Sequence, residues 1–181
     1  MAHVVALRRI EWSSLYRQRG ASLLEGLAYL GVAAVVILGA VSLLTNAFGN
    51  AQSNRMVEEL TSLRTSARKI YFGQQYPAAM VPTLNNADAI PRTLNVDAQN
   101  NITNAWGGAV TVVGGNNGTE FTITYASVPR AVCISVVSGA SGWLRIGVGN
   151  NQNAIVAFPV TADAANNNCN AAAQSISFVS S

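Results

Sequence analysis

Charge is scarce in this chain. Only 10% of its 181 residues are Asp, Glu, Lys or Arg, against about a quarter in an ordinary soluble domain. Histidine occurs once, as His3, and cysteine twice, as Cys133 and Cys169. These shortages remove most catalytic arrangements. One histidine at the extreme N-terminus and two thiols supply neither a Cys–His nucleophile nor a set of metal ligands. The acidic residues show no paired spacing suited to acid–base work. The stretch "GGNNG" (114–118) lacks the lysine of a phosphate-binding loop and sits between two apolar runs, where a turn belongs. The sequence therefore predicts no catalytic residue, no metal and no cofactor, and a structural or interaction protein.

The formal charge of +3 is local. Residues 1–20 carry Arg8, Arg9, Arg17 and Arg19 against Glu11, and beyond them basic and acidic residues balance. A neutral body offers no basic face for phosphates, so nucleic acid is excluded as an expected partner.

What the sequence has in quantity is apolar residues, 50% of the chain. From Leu27 to Leu44 runs "LAYLGVAAVVILGAVSLL", without a charge and near the lower limit for a bilayer-spanning helix. The arginines ahead of it place the N-terminus on the cytoplasmic side. Three readings fit: an ordinary secretory signal, for which the core is long although "AVS" (40–42) could serve as its cleavage site; a plain signal anchor; or cleavage ahead of the apolar core, after Gly20.

Apolar residues then continue at helical spacing (Val57, Leu60, Leu63, Ala67, Ile70, with Met56 and Tyr71 beside them), while Arg55, Glu58, Glu59, Arg64 and Arg68 fall elsewhere on the helix. Gly73 and Pro77 supply stop signals. One helix from Ala21 to about Phe72 is predicted, on the order of 75 Å long, too long for a small domain to bury. Residues 77–104 read as a meandering loop. Short β-like runs follow at 109–113, 120–126, 131–137, 143–149, 154–158 and 176–180, the first two forming a hairpin. Residues 163–173 read as a loop or short helix. The predicted class is α+β: a long N-terminal helix packed by its second half on a C-terminal antiparallel sheet. Cys133 and Cys169 are two buried thiols or, downstream of a membrane segment, a disulfide closing a 35-residue loop, worth about 4 kcal/mol in the chain-entropy account.

Glu25 stands at the start of the apolar segment, where an ionised carboxylate costs roughly 2.5–3.5 kcal/mol. No Lys, Arg or His lies within that segment. A cut after Gly20 would give Ala21 a free amine one helical turn away, in the same chain or a staggered neighbour. A carboxylate solvated at the membrane interface is the other reading.

"RG-ASLLE" (19–25), followed by some twenty apolar residues, closely resembles the class III signal of type IV prepilins. The resemblance implies Gly20 as the last leader residue, Ala21 as the N-methylated mature N-terminus and Glu25 as the carboxylate that registers subunits. The 20-residue leader resembles the type IVb branch, although Ala21 is small for it. "ITNAWGG" (102–108) is similar to the Asn-Pro-aromatic-Gly-Gly stretch of type IVb pilins, with Ala105 in place of Pro. Cys133 and Cys169 match the family's disulfide-bounded region.

The domains implied are a prepilin leader (1–20), a hydrophobic transmembrane and filament-core helix (21–45), the amphipathic half of that helix (46–73) and a globular β-rich head (74–181). The implied function is the major subunit of a type IVb pilus, a homopolymer serving adhesion, aggregation or conjugative mating. Its partners would be a prepilin peptidase, the assembly platform and ATPase, and the inner membrane before export into an extracellular filament. A minor pilin or type II secretion pseudopilin shares the signal. A secreted β-rich domain behind an ordinary signal peptide is the rival of a different class.

Overall fold

The structure, a computed structural model, describes residues 23–149, 151–155 and 157–181. The chain divides into two compact units, Met1–Ser42 and Leu43–Ser181. Helix α1, Leu23–Ile70, is one continuous element. Proline is absent from it, and Glu25 in its first turn and Arg68 and Lys69 in its last complement the helix dipole. It ends three residues ahead of Gly73, whose φ of +73° is left-handed backbone that favours glycine. The last helical residue is Ile70 where Phe72 was expected, an ordinary fraying difference.

In the second unit, α1 is followed by α2 (Val81–Asn86), β1 (Asn95–Val96), β2 (Ile102–Thr103), β3 (Ala109–Gly115), β4 (Glu120–Pro129), α3 (Arg130–Gly139), β5 (Arg145–Val148), β6 (Asn151–Ile155), α4 (Ala162–Asn168) and β7 (Ala173–Ser180). One sheet takes all seven strands in the order β1-β2-β3-β4-β7-β5-β6, every neighbour antiparallel. The predicted hairpin is β3–β4. Its turn passes through Asn116, Asn117 and Gly118, all at positive φ, which Asn and Gly tolerate best. Along β4 the buried side chains alternate as Phe121, Ile123 and Tyr125, matched by Ile176 and Phe178 of β7. They share one core with Met56, Leu60, Leu63, Ala67 and Tyr71.

That helical face is turned by about one residue from the expected one. Met56 and Tyr71 are buried, Val57 is 44% exposed, and Glu59, expected away from the core, is buried. Its carboxylate accepts the Tyr125 hydroxyl at 3.3 Å and lies 3.7 Å from Arg55. Burial first, and the Glu59 charge second, hold the Tyr125 phenol proton well above its usual value.

The run 131–137 is a helix and not the expected strand. Val132, Cys133, Val136 and Val137 are buried, a one-four-five spacing that places them on one helical face. A short β-branched run carries no periodicity long enough to reveal this. Pro129, extended at the N-cap, ends β4 and opens α3. Residues 163–173 contain the short helix α4, capped by Thr161, whose hydroxyl accepts the Ala164 N–H at 3.2 Å. The expected loop 77–104 also holds α2, β1 and β2. Strand β6 begins three residues ahead of the run 154–158.

Cys133 on α3 and Cys169 at the C-cap of α4 form a disulfide with Cα atoms 5.9 Å apart, both residues fully buried. The bridge therefore joins two helices, where a strand had been expected to hold Cys133. The Gln174 side-chain amide donates to Cys133 Sγ at 2.9 Å.

Two expectations follow for the second unit. Replacing Cys133 and Cys169 by serine is expected to lower unfolding stability by about 4 kcal/mol, read as the urea midpoint under oxidising conditions. Native protein should resist dithiothreitol until denaturant exposes the buried sulfurs. The pH dependence comes from two carboxylates. A hydrogen bond from Arg145 at 2.6 Å holds Glu120 below the usual range, opposed by partial burial and aided by the Arg145 charge and by Asn116. Asn101 lowers Asp97 through its side-chain and backbone N–H groups. Lowered folded-state values mean stability that is fully present above the ordinary carboxylate range of about 4 and is lost as pH falls through the lowered values. Urea midpoints measured between pH 6 and pH 2.5 should therefore fall on acidification, and less steeply in E120Q.

Candidate assembly surface

From Leu23 to Val41 every large apolar side chain of α1 is more than half exposed. The segment is long and apolar enough to cross a membrane, and none of its most apolar window is buried by the chain itself. Covering these side chains is worth on the order of 20 kcal/mol. No free chain in water would leave that unrealised. Gly26, Gly31 and Gly39 have open space where a Cβ would stand, so they indent this surface and permit close approach of another helix.

Glu25 lies in the first described turn of α1, exposed, and its carboxylate Oε1 accepts a hydrogen bond from the Tyr29 hydroxyl at 3.3 Å. Gly20 and Ala21 lie outside the described residues, and with them the expected pairing of the Ala21 amine with Glu25. Tyr29 was not singled out from the sequence. Its signal was the four-residue spacing from Glu25, which puts both on one flank of the helix.

In the second unit the stretch 102–108 is organised by one side chain. Asn104, 6% exposed, accepts the N–H groups of Trp106 and Gly108 on Oδ1 at 3.0 and 2.9 Å. Its Nδ2 donates to the Ala126 carbonyl at 2.7 Å. A Cβ on Gly108 would stand 2.0 Å from that same carbonyl oxygen, so only glycine fits. Trp106 Nε1 donates to Gln52 of α1 at 3.0 Å. The stretch is a brace between the sheet and the helix, which a generic turn would not be. Arg64 makes a second brace: its Nε donates to Ser180 Oγ at 2.9 Å, its Nη2 to the Gly142 carbonyl, and its guanidinium stacks 4.7 Å from the centroid of Trp143. Burial and then Arg68 lower its pKa from the ordinary arginine value.

Two grooves of the second unit are open and chemically plain. One of about 300 Å³ lies between residues 78–82 and β3, another of about 440 Å³ beside Ser127 and Gln174. Neither carries a titratable side chain among the described residues. No three His, Cys, Asp or Glu side chains among those residues stand close enough to hold a metal. The chemistry that stands out is therefore the bare apolar helix surface with one carboxylate in it.

Comparison with known proteins agrees. The PilS N-terminal family model matches residues 50–181. The major structural subunit of bundle-forming pilus from Escherichia coli O127:H6 (strain E2348/69 / EPEC) is 30% identical over 154 residues, 82% of this chain and 80% of that protein. The protein of the same name from Escherichia coli O111:H- matches to the same extent. Among solved structures, TcpA, a type IV pilin from Vibrio cholerae El Tor biotype, is similar with a TM-score of 0.54, over 72% of this chain and 99% of TcpA. At 13% identity that likeness concerns the fold: a long N-terminal helix and an antiparallel sheet. By the family match and the identity to pilus subunits over most of its length, the chain belongs to the PilS N-terminal family and is a type IVb pilin.

Proposed function

We propose that this chain is the major structural subunit of a type IVb pilus, assembled as a homopolymer through its N-terminal helix. The observation that carries the reading is the apolar surface from Leu23 to Val41, which the chain itself leaves bare. Before assembly the inner membrane covers that surface, with the N-terminus cytoplasmic because of Arg8, Arg9, Arg17 and Arg19. A prepilin peptidase cuts between Gly20 and Ala21, and Ala21 is N-methylated. The assembly platform and its ATPase then transfer the subunit to the filament, where helices 21–45 form the core. Residues 46–73 and the head, 74–181, form the remainder of each subunit. The names of the bundle-forming pilus relatives support the major-subunit role.

The energetics favour this use of Glu25. Exchanging lipid for other apolar helices changes hydrophobic burial little, so close packing and polar pairs decide whether subunits associate. Glu25 is costly in lipid as a lone charge. Facing the Ala21 amine of a neighbour it gains a partner, and a buried pair penalises every other register. The nearly neutral body lets copies pack densely without mutual repulsion. The role is structural, in a filament serving adhesion, aggregation or conjugative mating.

Intact mass and N-terminal sequencing of protein sheared from cells test the reading. The expected chain begins at Ala21, carries one extra methyl group and lacks two hydrogens for the Cys133–Cys169 bridge. A chain that begins beyond residue 40, or still at Met1, would overturn it.

A further inference from the structure

The apolar segment of α1 contains a second polar group whose place the assembly reading leaves unused. Between Leu23 and Leu44 the side chains able to hydrogen-bond are those of Glu25, Tyr29 and Ser42, and the nearest following cation is Arg55. Tyr29 is four residues beyond Glu25, and helical side chains lean toward the N-terminus. A phenol there reaches back over the preceding turn, and its hydroxyl donates to Glu25 Oε1 at 3.3 Å.

We infer that Tyr29 is a positioning residue for Glu25: its hydroxyl partly satisfies the carboxylate in lipid and orients it for capture by a neighbouring subunit, without neutralising its charge. This rests on the reading of Glu25 as the registering carboxylate. The chemistry of the donor is the core of the argument. A lysine or arginine at position 29 would satisfy the carboxylate more fully, but it would cancel the negative charge that attracts the next subunit's amine. A phenol lowers the cost of an unsatisfied polar group in hydrocarbon and brings no charge. A carboxylate has about four acceptor sites, and one hydroxyl occupies one of them. The remainder can accept an incoming ammonium while the phenol holds the rotamer. Pre-orientation of this kind reduces the side-chain entropy lost on capture, which is large for Glu.

The alternative role for Tyr29 is that of an interfacial aromatic anchor in the membrane, which needs no Glu25. A double-mutant cycle separates the two. Untagged wild-type chain is co-expressed with tagged Y29F, E25Q, E25D, E25Q/Y29F or E25D/Y29F. The tagged-to-untagged ratio in sheared filaments is divided by that in the membrane, with the N-terminus of each variant sequenced. The expected result is a roughly fivefold lower incorporation of Y29F, the effect of one net hydrogen bond, with cleavage after Gly20 unchanged. E25Q/Y29F should incorporate no worse than E25Q. If E25Q falls below detection, E25D and E25D/Y29F replace that pair, because the shortened side chain keeps the charge and withdraws it from the phenol. Incorporation of Y29F at the wild-type level, or an equal loss on the E25Q or E25D background, would overturn the assignment. Wild-type incorporation of E25Q would instead remove the registering role of Glu25 itself, and with it the basis of the inference.

Discussion

An apolar helix surface that its own chain does not cover must be covered by something else, and the rest of this protein is consistent with that requirement. Water is excluded as the lasting solvent for Leu23–Val41 by the free energy of exposing so many Leu, Val and Ile side chains. Lipid and sibling helices are nearly equivalent covers in hydrophobic terms. Polar detail therefore decides between them, and in the proposed assembly the carboxylate of Glu25 supplies that detail. The indentations at Gly26, Gly31 and Gly39 serve the same end by allowing helices to approach closely.

The second unit is held together by contacts of another kind. Its core is formed by the alternating faces of β4 and β7 and the face of α1 carrying Met56, Leu60, Leu63 and Ala67. Around it, polar ties fix the helix to the sheet at three places: Trp106 to Gln52, Tyr125 to Glu59, and Arg64 to Ser180 and Gly142. Such ties specify geometry more than they add stability, since hydrogen-bonded polar groups exchange one set of partners for another. The disulfide between α3 and α4 holds two short helices that would be marginal alone.

Much of this was legible in the residues. The unbroken apolar run and the helical spacing of the apolar residues after it announced a long helix, and the β-like run "EFTITYA" (120–126) announced a strand. The resemblance around Gly20, Ala21 and Glu25 rests on a short linear pattern, and the cleavage and register it implies belong to the proposed function. The run "AVCISVV" misled because seven β-branched and small residues fit a buried strand and a buried helix turn equally well. What decided it was Pro129 together with the packing of Val132 and Val136. Glu59 misled for a related reason: its charge argued for solvent, and only the position of Tyr125, 66 residues on, provided the buried partner.

The sequence by itself determined the division of labour between an uncharged apolar segment and a neutral, turn-rich body, because composition and periodicity act locally and survive any arrangement of the remainder. It also determined that catalysis had few residues to draw on. The tertiary structure alone decided which face of α1 meets the core and that Cys133 reaches Cys169 from a helix. It also decided that Asn104 braces a turn against Ala126. Each of these is a contact between specific atoms, and a chain of letters does not fix rotamers or the approach of distant segments until packing has chosen among them.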